Sequence, residues 1–279
     1  MKRKKWKSIS KKKENFMLSN VNFKPKKYLG QNFLKDREVL KEITKAAEIQ
    51  PDDIILEIGP GFGILTEELT KKAKKVIAIE KDERLVKILK EKFKDFKNIE
   101  IIQGDVLKLT TENLQLTTNY KVVANLPYYI TSPVIRKFLE TENPPKLMVL
   151  MVQKEVAQRI CSKPPKMSLL SIACQLYSKP KIVKIIKKDC FWPKPKVDSA
   201  IIKLITNNLK FITNEFREEF FKIVKAGFSS SRKQLKNNLK KIFGDKTNEV
   251  LVKAGIDPAR RAETLSVEDW MKIYNVIKS

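Results

Sequence analysis

The segment Asp53-Ile54-Ile55-Leu56-Glu57-Ile58-Gly59-Pro60-Gly61-Phe62-Gly63 decides how the rest of the chain is read. From Ile54 to Ile58 only Glu57 interrupts an apolar run, the pattern of a strand buried on both faces. Three glycines at alternate positions follow, and Phe62 to Thr70 then reads as an amphipathic helix. Strand, glycine turn and helix make an entry for a phosphate or nucleoside ligand. Glycine lets a ligand approach the backbone, and the helix N-terminus offers unpaired N–H groups and a partial positive charge. The spacing is not that of the dinucleotide fingerprint G-x-G-x-x-G, because the third glycine comes one residue early and Ile64 stands where that motif needs Gly. Taken alone, such a turn need hold no ligand. The downstream segments argue that this one does.

Working outward, Lys75–Glu80 is a second short strand ending in an acid, about twenty residues past the glycines, where nucleoside-binding folds set a carboxylate against ribose hydroxyls. Asp82 is placed to cap a helix over Glu83–Phe93. Ile99–Gln103 is a third strand, closed by Gly104-Asp105-Val106, and Tyr120–Ala124 a fourth, closed by Asn125-Leu126-Pro127-Tyr128-Tyr129. Leu147–Val152 is a fifth, and Ile182–Ile186 with Ala200–Ile205 read as a closing pair. Strands alternating with helices predict an α/β, doubly wound parallel sheet, whose ligands sit beyond the carboxyl ends of the strands near the switch in strand order. Gly59, Glu80, Asp105 and Asn125 all stand at such ends and are expected to converge on one crevice.

Composition narrows the chemistry. The 279 residues carry a formal charge of +26, which favours a polyanionic partner, nucleic acid before an anionic membrane. There is no histidine, so Ser-His-Asp and Cys-His catalysis and every histidine metal site drop out; no metal is expected. Cys161, Cys174 and Cys190 form no C-x-x-C pair, which fits reduced thiols in the cytoplasm. No segment has the apolar length of a membrane span or a secretory signal. Residues 1–27, with Lys-Arg-Lys-Lys-Trp-Lys at the start, read as a flexible basic arm. Residues 28–206 form the α/β domain. Residues 207–279 form a small all-helical domain with helices over Glu215–Phe228, Lys233–Phe243, Lys246–Ala254 and Val267–Ile277. Its expected basic face includes Arg232, Lys233, Lys236, Lys240, Lys241, Arg260 and Arg261. Nothing in the sequence requires more than a monomer.

The segment Asn125-Leu126-Pro127-Tyr128 suits methylation of an amino group conjugated to an aromatic base. Such a nitrogen is a poor nucleophile, so its site needs acceptors for the N–H groups and a clamp on the ring. Asn125 offers an amide oxygen, Leu126 a carbonyl freed by Pro127, and Tyr128 a flat face for stacking. No strong acid is required, in keeping with a chain that lacks histidine.

Gly30-Gln31-Asn32-Phe33-Leu34, Glu57 to Thr66, Glu80, Gly104 to Leu107 and Asn125 to Tyr128 together resemble the ribosomal RNA adenine N6-dimethyltransferase family. So do Phe191-Trp192-Pro193-Lys194-Pro195-Lys196-Val197-Asp198-Ser199, Phe228 to Leu239 and Arg261 to Ser266. The likeness covers about 28–279. It implies a Rossmann-like, class I fold with S-adenosylmethionine as methyl donor. Asn32, Leu34, Gly59 and Gly61 would then line the donor site, with Glu80 on its ribose and Asp105, beside Val106, on its adenine. Asn125, with Leu126 and Pro127, would sit between donor and target, and Tyr128 and Phe191 would sandwich a flipped adenine. The helical tail is closer to the branch that dimethylates two adjacent adenines near the 3′ end of small-subunit rRNA than to the large-subunit, antibiotic-resistance branch. That implies small-subunit rRNA or a pre-30S particle as partner. One departure stands out: Lys166-Met167-Ser168-Leu169-Leu170-Ser171 replaces the usual Tyr-Gly before Leu-Ser.

Overall fold

A computed structural model describes residues 23–116, 119–207 and 212–278. The short strand β1 (Phe33–Leu34) and helix α1 (Arg37–Ala46) precede β2 (Ile54–Ile58), α2 (Ile64–Thr70), β3 (Lys75–Glu80), α3 (Glu83–Lys92) and β4 (Ile99–Gln103). Then come β5 (Tyr120–Asn125), α4 (Thr131–Leu139), β6 (Leu147–Gln153), α5 (Lys154–Ile160) and α6 (Leu169–Tyr177). The α/β part closes with β7 (Ser178–Ile186), β8 (Phe191–Trp192) and β9 (Ser199–Thr206). Helices α7 (Asn214–Gly227), α8 (Leu235–Phe243), α9 (Thr247–Lys253) and α10 (Val267–Lys278) complete the chain.

The central sheet has seven strands in the order β4-β3-β2-β5-β6-β9-β7. The first five are parallel, and β9 runs antiparallel to both its neighbours, β6 and β7. The chain winds from β2 outward through β3 to β4, then crosses back to β5, so the switch point lies between the ends of β2 and β5. β2 shows why its sequence is nearly all apolar: Ile55, Leu56 and Ile58 are buried among helices on both faces. At the strand's start the Asp53 carboxylate is enclosed by the ammonium groups of Lys121 and Lys146, each at 2.6 Å.

Of the expected arm, residues 1–22 lie outside the described residues, and 23–27 are held against the α/β part. Phe23 packs edge-on to Phe33 and Phe62, and the Arg84 guanidinium sits 4.3 Å over its ring. Of the expected linker, 208–211 lie outside the described residues. The helices beyond it do not form a separate core. Tyr177 at the end of α6 stacks on Phe221 of α7 at 6.3 Å, and both belong to one apolar cluster running from β5 and β6 to Trp270 of α10. Trp270 rests on Gly227, where a Cβ would lie 2.2 Å from the ring, so only glycine fits.

Three helices, α4 to α6, are not among the sequence expectations. The departing segment 166–171 proves to be the start of α6: Ser168 and Ser171 form a reciprocal capping box, and the Met167 N–H donates to the Glu263 carbonyl at 2.9 Å. The basic face of the helical part loses one member, because Arg260 is committed to Thr264 and to Asp269 at 3.3 Å.

Candidate active site

The glycine turn takes its shape from three left-handed residues, Gly59, Gly61 and Gly63, with φ of 68°, 59° and 72°. Side chains rarely adopt this region, and here space forbids them too. A Cβ at Gly61 would meet the Phe33 ring at 2.9 Å, and one at Gly63 would meet Phe93 at 2.6 Å. Gly59 faces the neighbouring strand end: a Cβ there would lie 3.7 Å from Pro127 and 3.9 Å from the Asn125 carbonyl. Residues more than sixty positions apart therefore meet at the switch point.

A cavity with about 1070 Å³ of space free of atoms, its mouth open to solvent, lies over this junction. Asn32, Leu34, Gly59, Gly61, Glu80, Asp105, Val106, Asn125, Leu126, Pro127 and Tyr128 all line it. Phe191 does not. It is 2 % exposed, paired with Leu34 across the β1–β8 ladder and packed with Leu34 and Leu40 behind the cavity wall. Its neighbour Trp192 is 38 % exposed and stacks on Phe33 at 6.0 Å.

The charges of the wall discriminate between ligands. Its charged residues are Glu57, Glu80, Asp105 and Lys81, and the one ammonium is already paired with Asp105 at 2.9 Å. A pyrophosphate would face carboxyl groups; a cationic ligand is favoured. Glu80 is nearly buried, and its Oε2 accepts from the Gly61 N–H at 3.2 Å and its Oε1 from the Asp82 N–H at 2.9 Å. Burial raises its pKa against the pull of those donors. The Lys81 partner holds Asp105 below the ordinary carboxylate value. Glu57, at the end of β2, is buried with Oε2 lacking a hydrogen-bond partner among the described residues. Desolvation, with Glu80 nearby, pushes it up to about 8.

On the substrate side, the Asn125 Nδ2 donates to the Asn32 carbonyl at 3.1 Å, which turns Oδ1 to the other side of the amide. The Leu126 N–H is tied to the Met151 carbonyl at 3.2 Å. The Tyr128 hydroxyl bonds to Ser199 Oγ at 2.8 Å, while Tyr129 is 53 % exposed at the rim. The sequence reading assigned no role to Gln31, Glu57 or Ser199, although all three stand inside quoted motifs. It gave Asp82 only a capping role.

A doubly wound sheet with antiparallel closing strands, a glycine turn fitted to a cationic nucleoside and an Asn-Leu-Pro-Tyr segment beside it defines an S-adenosylmethionine-dependent methyltransferase of the Rossmann-like class. The model of the family described as ribosomal RNA adenine dimethylase matches residues 22–279, and the chain belongs to that family. A ribosomal RNA small subunit methyltransferase A of Dehalococcoides mccartyi is 45 % identical over 261 residues, 92 % of this chain and 90 % of that one. The crystal structure of a dimethyladenosine transferase from Plasmodium falciparum matches with a TM-score of 0.77 at 31 % identity, over 86 % of this chain and 95 % of that one. The 23S rRNA methyltransferase ErmE matches with a TM-score of 0.73 at 27 % identity, over 88 % of this chain and all of ErmE.

Proposed function

We propose that this enzyme dimethylates N6 of two adjacent adenines near the 3′ end of small-subunit rRNA, as a step in assembly of that subunit in the cytoplasm. The observation that carries the reading is the meeting of Asn125–Tyr128 with the Gly59–Gly61 turn in one acidic cavity. The identity to a small-subunit methyltransferase, higher than that to ErmE, favours the small-subunit substrate.

The cofactor supplies an activated methyl group on a sulfonium. The protein's part is positioning and placed acceptors. Asn32, Leu34, Gly59, Gly61 and Val106 wall the cofactor, Glu80 takes its ribose hydroxyls, and ionised Asp105 takes its adenine amino group. Asn125 Oδ1 and the Leu126 carbonyl accept from the target N6–H groups, with Pro127 fixing the turn. That draws lone-pair density toward the nitrogen and holds it in line. Tyr128 stacks on the target ring. Phe191 supplies a second face only when β8 shifts, since at rest it is buried. Residues 28–206 carry the chemistry and 207–279 grip RNA, and because one chain walls the whole cavity the monomer suffices.

The test is mass spectrometry of small-subunit rRNA treated with wild-type or Asn125→Ala enzyme. The expected result is two dimethyladenosines with the wild type, and cofactor binding without dimethylation in the variant. Near-normal dimethylation by Asn125→Ala would remove the assigned role, and a product confined to large-subunit rRNA would replace the substrate.

A further inference from the structure

Residues 29–32 line one side of the cavity, and the Asp82 carboxylate ties down the loop 26–32 that carries them. Asp82 follows β3, and its side chain has 0 % exposure. Its Oδ2 accepts from Arg84 Nη2 at 2.6 Å and from Gln31 Nε2 at 2.9 Å. Its Oδ1 accepts from Arg84 Nε at 3.0 Å and from the Arg84 N–H at 3.2 Å, with the Lys26 ammonium at 3.5 Å. Gln31 uses the other half of its amide on the same loop, its Oε1 accepting from the Lys26 N–H at 2.7 Å. The next carbonyl, that of Asn32, is the one that receives Asn125 Nδ2.

A helix cap requires only the bond to the Arg84 N–H, and an exposed Ser, Thr or Asn would provide it. Of the remaining contacts, two come from the Arg84 side chain and two, from Gln31 and Lys26, bear on the loop. Their effect reaches Asn125 through a two-fold ambiguity in every primary amide: the group can present oxygen or NH₂. A target amino group needs the oxygen. The Asn32 carbonyl selects that orientation by binding the NH₂, and it can do so only while the loop stays still.

We propose that Gln31 and Asp82 are positioning residues for methyl transfer, clamping the loop so that the Asn32 carbonyl keeps the Asn125 amide oxygen turned to the substrate. The inference rests on the role assigned to Asn125 above and extends it to two residues outside the reacting groups.

The test is a double-mutant cycle on the full chain with small-subunit particles as substrate, read as single-turnover rates at saturating cofactor, with cofactor affinity measured separately by calorimetry. Gln31→Ala is expected to lower the rate about tenfold, with cofactor affinity changed less than about threefold. Asp82→Asn, which retains a helix cap, should fall the same way. In the Asn125→Ala background, Gln31→Ala should have little further effect, because it acts through the group already removed. Gln31→Glu sets a carboxylate against Asp82 and should lower the rate at least as far, which keeps the test available if the alanine variant folds poorly. A wild-type rate in Gln31→Ala, an equal loss in both backgrounds, or a loss confined to cofactor affinity would overturn the clamp. A wild-type rate in Asn125→Ala would instead overturn the reading beneath it.

Discussion

The Tyr128 hydroxyl and the fully buried Ser199 Oγ are 2.8 Å apart, joining the end of the Asn-Leu-Pro-Tyr segment to the first residue of β9. The bond fixes the Tyr128 ring, which lines the cavity beside Asn125. Removing the Ser199 hydroxyl costs about 1 kcal/mol of stability and lets the ring turn. Ser199→Ala should therefore lower methylation several-fold at unchanged cofactor affinity. Tyr128→Ala, which removes the stacking face, should lower it much further. Parallel rate and calorimetric measurements check both.

Gly61→Ala meets two obstacles, a left-handed backbone and the Phe33 ring at 2.9 Å. The backbone term alone is about 1–2 kcal/mol, and relief of the clash displaces the N–H that Glu80 accepts. Cofactor affinity is expected to fall about tenfold or more, tenfold being about 1.4 kcal/mol, with a lower unfolding midpoint. Unchanged affinity in calorimetry would show that the turn tolerates a side chain.

Glu57 and pH form a separate case. Its folded-state value of about 8 lies above that of an unfolded glutamate, about 4.3. Between those limits the folded protein binds the extra proton, so this residue's contribution to stability declines as pH rises from the lower value through the upper. Glu57→Gln removes that slope. Urea unfolding at pH 6 and pH 9 should show the variant gaining on the wild type at the higher pH.

Asp53 carries the opposite sign. Burial raises its pKa, but the Gln50 N–H, Lys121 and Lys146 together leave it below the ordinary value. Its contribution is present above the unfolded carboxylate range and is lost as pH falls through the folded value. Asp53→Ala also leaves the Lys121 ammonium, whose side chain is 6 % exposed, with only the Ala47 and Glu48 carbonyls and no carboxylate, at a cost of about 3 kcal/mol. Denaturation at pH 7 measures that loss. Activity per folded molecule should hold, since Asp53 lies at the end of β2 remote from the cavity.

Deleting residues 1–22 should weaken RNA binding and flatten its salt dependence while sparing methyl transfer. Extending the deletion to residue 27 should also impair transfer, because Phe23 and Lys26 contact Phe62 and Asp82. Filter binding across a salt series, with rates for both truncations, separates the two effects.

Much of this was legible in the residues themselves. Strands β2, β3 and β4 are short apolar runs ended by glycine or acid, and their bounds agree with the sequence reading to the residue. Their ends had to converge once the sheet was parallel. Helix α4 keeps a helical stripe at Val134, Ile135, Phe138 and Leu139 but carries Pro133 in its first turn, α5 is seven residues long directly after β6, and α6 is buried on most sides, so that its period is lost. Phe191 lies behind the cavity wall, which the motif could not show, because it names an aromatic ring but not whether that ring faces the cavity or the core behind it. The tie between Gln31 and Asp82 spans fifty-one positions with no local pattern to betray it.

The stacking of Tyr177 on Phe221 and the seat of Trp270 on Gly227 have a mechanical consequence. Segments that share polar, modest contacts swing against each other, whereas sliding here would wet three large rings. The cationic helices are thus fixed relative to the crevice like the two jaws of a caliper. If the helices grip RNA as proposed, an RNA held by the outer jaw would present to the inner one only the nucleotides lying at a set span, and the choice of adenine would be made partly by measured length.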